Sequence, residues 1–141
     1  MAGLAKLHPD HPLPDVDDPI AAPFWDFCRQ RELRIQQSRS SGRFVFPPRP
    51  QYAGDFDWVR VCGRGRVLTF VIVRPPFLPA FADKVPFVVA VIELDEGPRL
   101  VGNIHDCPVE HVRSGMPVEV VFEDITERVT LPQWRPLTVA D

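Results

Sequence analysis

The chain has 141 residues, 45% of them hydrophobic and 25% charged, with a formal net charge of −3. That length suits one domain with at most a small appendage, and the apolar share is enough for a real core. No apolar run reaches the roughly 18 residues that a membrane-crossing helix needs, and three widely spaced cysteines (Cys28, Cys62 and Cys107) exclude a disulfide framework.

Residues 1–22 carry prolines and acids without an apolar period. They read as an irregular arm able to lie along a partner, and they lack the apolar core of a secretory signal. A short helix is expected from about Pro23, since proline suits a first helical turn. Asp26 then falls near the positive end of the helix dipole. Phe24, Phe27 and Cys28 share one face at helical spacing, whereas Trp25 falls off it. Trp25 is therefore either ordinary packing or a contact to another molecule.

Leu33–Gln37 alternates apolar and polar residues, as a half-buried strand does, and Phe44–Phe46 follows a Ser/Gly-rich turn. The two predict a small hairpin, which is marginal in water without a metal, a helix or a partner. From residue 57 onward strand follows strand: 57–62, 66–74, 87–94, 99–104, 118–123 and 129–134. Gly63-Arg64-Gly65, Arg74-Pro75-Pro76, Asp95-Glu96-Gly97-Pro98 and Gly115-Met116-Pro117 punctuate them, and Val109–Arg113 is the one helical turn expected. The pattern predicts a mainly β protein built on a five-stranded OB-fold barrel. The run Phe87–Ile92 is apolar throughout, so both of its faces should be covered. The expected units are an arm at 1–22, a helix with a hairpin at 23–56, the barrel at 57–136 and a tail at 137–141.

Charge is unevenly spread. Residues 29–74 hold ten arginines against three acids, and residues 75–141 hold eleven acids against five bases. This argues for a local anionic ligand or an acidic partner patch rather than bulk nucleic-acid binding, for which a basic domain is expected. The competing reading is that these arginines are solvated strand faces.

A catalytic set is hard to find. Gly63-Arg64-Gly65 lacks the P-loop pattern and reads as a bulge or tight turn. His105, Cys107 and His111 are metal-ligand and nucleophile types, but their spacing matches no common zinc site and Pro108 interrupts them. There is no G-x-S-x-G elbow and no paired carboxylates in a suggestive context.

An ordered set of short motifs runs along the chain: Pro23-Phe24-Trp25, Glu32-Leu33, Gly42-Arg43, Phe46-Pro47-Pro48-Arg49-Pro50, Trp58, Gly63-Arg64-Gly65, Val85-Pro86-Phe87, Glu93–Pro98, Gly115–Val118 and Arg135-Pro136. In this set the chain resembles the acyl-CoA-associated OB-fold proteins that carry a rubredoxin-like zinc ribbon. The resemblance covers roughly residues 20–136. It implies a helix, a ribbon and an OB-fold, acting as a non-catalytic accessory subunit. The implied partner is a thiolase-fold enzyme (a thiolase, acyltransferase or retro-aldolase working on CoA thioesters, including those of steroid side-chain degradation). A MaoC-type enoyl-CoA hydratase is the alternative partner.

The chain departs from the family at the metal. The ribbon's ligand positions fall on Ser38, Ser41, Tyr52 and about Asp55, which supply no tetrahedral thiolate set, so zinc is expected to be absent. An aromatic group of Phe44, Phe46, Tyr52, Phe56 and Trp58, with rigid prolines, is expected to hold the frame instead. Trp25, Phe44, Phe46, Pro47, Pro48 and Tyr52 are the expected partner contacts. Arg43, Arg49, Arg64 and Arg66 are candidates for the phosphates of CoA, because the guanidinium fork donates two hydrogen bonds. A cytoplasmic location follows. A competing class is a single-stranded nucleic-acid binder, with Phe70, Phe77, Phe81 and Tyr52 stacking bases.

Overall fold

The computed structural model describes residues 7–50 and 54–137. One helix, α1 (Ala22–Arg29), starts with proline in its first turn and buries Phe24 and Cys28. Asp26 lies beyond that first turn and pairs with Arg29 three residues on, so it faces the side chain rather than the helix end. Arg31 closes the helix in the left-handed region, at φ 63°, with its N–H on Cys28 O.

Three strands follow: β1 (Arg34–Ser38), β2 (Phe44–Val45) and β3 (Phe56–Arg60). They form one antiparallel sheet in the order β2-β1-β3. The expected hairpin therefore gains a third strand. β3, which the sequence pattern grouped with the barrel strands, pairs along its whole length with β1, Gln36 opposite Trp58.

The barrel comprises β4 (Arg64–Val73), β5 (Phe87–Leu94), β6 (Arg99–Asn103), β7 (Pro117–Asp124) and β8 (Thr130–Pro136). Their order is β6-β5-β4-β7-β8, every named pair antiparallel. A single parallel bridge, Ile104 to Trp134, closes the ring between the two outer strands, with His105 N–H on Trp134 O at 2.7 Å. A 3₁₀ turn, Val109–His111, links β6 to β7, inside the predicted helical turn. This is an OB-fold: five strands, partly open, with the short helical turn before the fourth.

The inward residues Val67, Val88, Ala90, Ile92, Leu94, Leu100, Val118 and Trp134 are nearly or fully buried. They join Phe24, Cys28, Leu33 and Ile35 in one core, so helix, small sheet and barrel fold as a unit. α1 packs against β8, β1 and β7. Gly65 shows why β4 needs glycine: a Cβ there would stand 2.4 Å from Glu93 O on the neighbouring strand.

β5 departs from expectation. Val88, Ala90 and Ile92 are buried, but the alternating Val89 and Val91 are only half-buried. One face of this apolar strand is fully covered by its own chain and the other only in part.

Candidate functional site: the small sheet and the open seam of the barrel

The first ribbon turn is built by hydrogen bonds. Ser38 N–H donates to Arg43 O and Gly42 N–H to Ser38 O, both at 2.8 Å. The Ser38 hydroxyl accepts from Ser41 N–H, and the Ser41 hydroxyl from Arg43 N–H, each at 3.3 Å. The two turns are joined because Arg39 N–H donates to Asp55 O at 2.8 Å, while the Arg39 guanidinium grips Asp57. Tyr52 lies outside the described residues.

Buried Gln36 provides the second tie. Its amide nitrogen donates to Arg49 O at 2.9 Å, and its amide oxygen accepts from Arg49 N–H at 2.7 Å. It thus pins the proline-rich loop to β1 as a strand partner would. Serine hydroxyls already engaged within their turn, and neutral, do not fit a zinc ion that wants thiolates. Among the described residues no group of three or more His, Cys, Asp or Glu could hold a metal.

The expected aromatic group is arranged differently. Phe46 packs on Phe24, ring centres 5.3 Å apart, and Trp58 lies 6.1 Å from Phe27. These rings attach the sheet to α1 rather than to one another. Trp25 stands edge-on to Phe24 at 4.9 Å.

Trp25 and Phe46, both expected partner contacts, line one groove of about 280 Å³ with Leu131, Pro132, Val101 and Asn103. Phe44 is half-buried against the core, Pro48 half-buried and Pro47 exposed. The groove follows the line where β6 and β8 separate. Two hydrogen bonds span that gap: the Gln133 side-chain oxygen accepts from Asn103 N–H at 2.7 Å, and the Gln133 amide nitrogen donates to Asn103 Oδ1 at 3.2 Å. Sequence reasoning missed this seam, although Pro132 within a strand signals a sheet edge.

Of the arginine candidates, Arg64 and Arg66 project from the same face of β4, two residues apart. Arg43 and Arg49 belong to the small sheet and its loop, and all four are exposed. Arg64 stands opposite Glu119, which takes Arg135, and Arg66 opposite Glu93, which takes Arg99.

A second cavity, of about 550 Å³, opens at the junction of the small sheet and the barrel, lined by Arg31, Arg60, Cys62 and Glu96 over Leu33 and Val120. Both arginines there are engaged, Arg31 with Asp124 and Arg60 with Glu32. Burial, with Glu96 and Asp95 adding, raises the Cys62 thiol, so it is no ready nucleophile.

The His105 loop makes one pair: His105 Nε2 is 3.1 Å from Glu123 Oε2, which raises the imidazole and lowers the carboxylate. Cys107 and His111 do not join it in a metal site. Within the described part of the arm, His11 stands edge-on to Phe81 at 5.1 Å and Asp17 pairs with Arg128. Phe81 is thereby occupied, and of the proposed base-stacking rings only Phe77 is well exposed among the described residues.

An OB-fold barrel with a helix and a small three-stranded sheet on one side defines the class of protein. Comparison with known proteins narrows it. The family described as ChsH2, C-terminal OB-fold domain, matches residues 58–123. A DUF35 domain-containing scaffold protein of Methanocaldococcus jannaschii is 33% identical over 117 residues, 78% of this chain and 82% of that protein. A chain of the solved Ltp2-ChsH2(DUF35) aldolase is 32% identical with a TM-score of 0.77, covering 89% of this chain and 98% of that one. The chain belongs to the DUF35 family of ChsH2-like OB-fold proteins.

The 3-oxo-4,17-pregnadiene-20-carboxyl-CoA hydratase alpha subunit of Mycobacterium tuberculosis is 34% identical over 134 residues, 92% of this chain. The chain spans less than half the length of the hydratase alpha subunits it matches, 36% and 42%.

Proposed function

We propose that this chain is a non-catalytic accessory subunit that binds and stabilises an enzyme acting on acyl-CoA thioesters. The partner we favour is an aldolase of the thiolase fold, working in the degradation of steroid or other lipid side chains. The observation that carries the reading is the match, 98% of its length, to a chain of an aldolase assembly. It is supported by relatives named scaffold proteins.

A hydratase partner is the second reading, favoured by the 92% of this chain that aligns with a steroid-CoA hydratase subunit. Within the complex, Arg64 and Arg66 are the arginines we assign to CoA phosphates, ahead of Arg43 and Arg49, because they share a face. The ribbon works without zinc, held by Gln36 and Arg39. The unpaired cysteines accord with a cytoplasmic protein.

The test is enzymatic. The purified chain alone should turn over neither an aldol nor an enoyl thioester of CoA, and co-expression with its enzyme subunit should raise that subunit's yield and activity. Turnover by the isolated chain would refute the non-catalytic role.

A further inference from the structure

We propose that the free edge of β6 is a strand-docking site: an extended, apolar segment of the partner enzyme pairs with it and fills the groove beside the barrel seam. The inference rests on the accessory-subunit reading and adds where and how the partner is held.

The backbone of β6 dictates the occupant. β6 pairs with β5 along its length, yet its sole pairing with β8 among the described residues is the Ile104–Trp134 bridge. In an antiparallel pair, alternate residues turn their N–H and C=O toward the partner strand and away from it. Asn103 N–H turns away from β5, since it donates to Gln133 across the seam. Two and four residues back, Val101 and Arg99 must present their backbone groups in the same direction. No hydrogen bond engages either of those N–H groups among the described residues. An edge of this kind is completed by another extended backbone rather than by a helix or a small molecule.

The side chains agree with the backbone. Val101 is 67% exposed, opposite half-buried Val91, and Val71, opposite Val89, is 60% exposed. Beside this β-branched face the groove offers Trp25, Phe46, Leu131 and Pro132. Its volume of about 280 Å³ suits one or two apolar side chains of a docked strand rather than a whole lipid. Gln133 occupies the rung at Asn103, next to the Ile104–Trp134 bridge.

The probe is the catalytic subunit that copurifies stoichiometrically with the wild-type chain, isolated and added back. Amide hydrogen exchange should slow about tenfold or more at Val101 and Arg99 in the complex. Unchanged exchange at both would overturn the proposal. Val101→Pro removes a donor that the β5–β6 ladder does not use, so it should preserve the fold while weakening the complex about tenfold or more. Val101→Lys, an edge-blocking change, should do the same.

Full-strength binding by both variants would overturn the docking site and leave the accessory role standing. Should the proline variant unfold, the exchange data and the lysine variant decide. Failure of the wild-type chain to bind any enzyme subunit would defeat the accessory reading and this inference with it. A wild-type homodimer dispersed by Val101→Lys would make the occupant a second copy and overturn the choice of partner.

Discussion

Single residues tie the small sheet together and set the pH response. Gln36 is 1% exposed and binds both backbone groups of Arg49. Gln36→Leu leaves those groups unpaired, and a loss of about 1–3 kcal/mol is expected from urea midpoints. Arg31 accepts a left-handed backbone at the end of α1 and donates two bonds to Asp124, at 2.7 and 2.6 Å. Those bonds first, and the Thr130 hydroxyl next, hold the Asp124 carboxyl at about 2 against an ordinary 3.8. A depressed carboxylate stabilises the fold above its unfolded pKa and ceases to do so as pH falls through the folded one. Stability should therefore decline between about pH 4 and pH 2. Arg31→Gly should flatten that decline, which a pH series of unfolding midpoints reads directly. His105 has the opposite sign. Its pKa is raised by Glu123, so its contribution is complete below the ordinary histidine value and fades as pH rises. In His105→Gln the alkaline-side slope should disappear.

At the scale of elements, the helix, the strands and their order were legible because local pattern marks them: proline at the helix start, glycine and proline between strands. What local pattern does not mark is which strand a given strand will join. Phe56–Arg60 reads as a strand in either sheet, and its place is decided by Gln36 and Ile35, more than twenty residues away in the chain. The polar ties were hidden for the same reason, Gln36 to Arg49 and Arg31 to Asp124 being pairings that only the folded chain creates. The departure at the zinc positions was visible, but the packing of the small sheet was not, since the rings expected to cluster attach to α1 instead. A chelator should leave the thermal midpoint unchanged; a fall of several degrees would reveal a structural metal. The seam makes its own prediction. A Cβ on Gly102 would stand 2.8 Å from the Trp134 indole. Gly102→Val is thus expected to cost about 1–3 kcal/mol by overpacking, again read from urea midpoints.

For the whole molecule, one core unites the helix, the small sheet and the barrel, while apolar surface remains open on the outer face of β4–β6 and in the groove beside it. Surface of this kind on a small chain suits a subunit completed by assembly. The arginine-rich first half then has a local task, since Arg64 and Arg66 stand free of the carboxylates that engage Arg99 and Arg135. Double replacement of Arg64 and Arg66 by alanine should loosen CoA retention by the complex severalfold without changing its subunit ratio, as read by calorimetric titration. The central claim is tested most directly by weighing the complex. The tagged chain, drawn from its native cell under gentle conditions, would be examined by native mass spectrometry. The account predicts a stoichiometric assembly with an aldolase or hydratase subunit acting on CoA thioesters. A monomer or homodimer carrying no such subunit would contradict it.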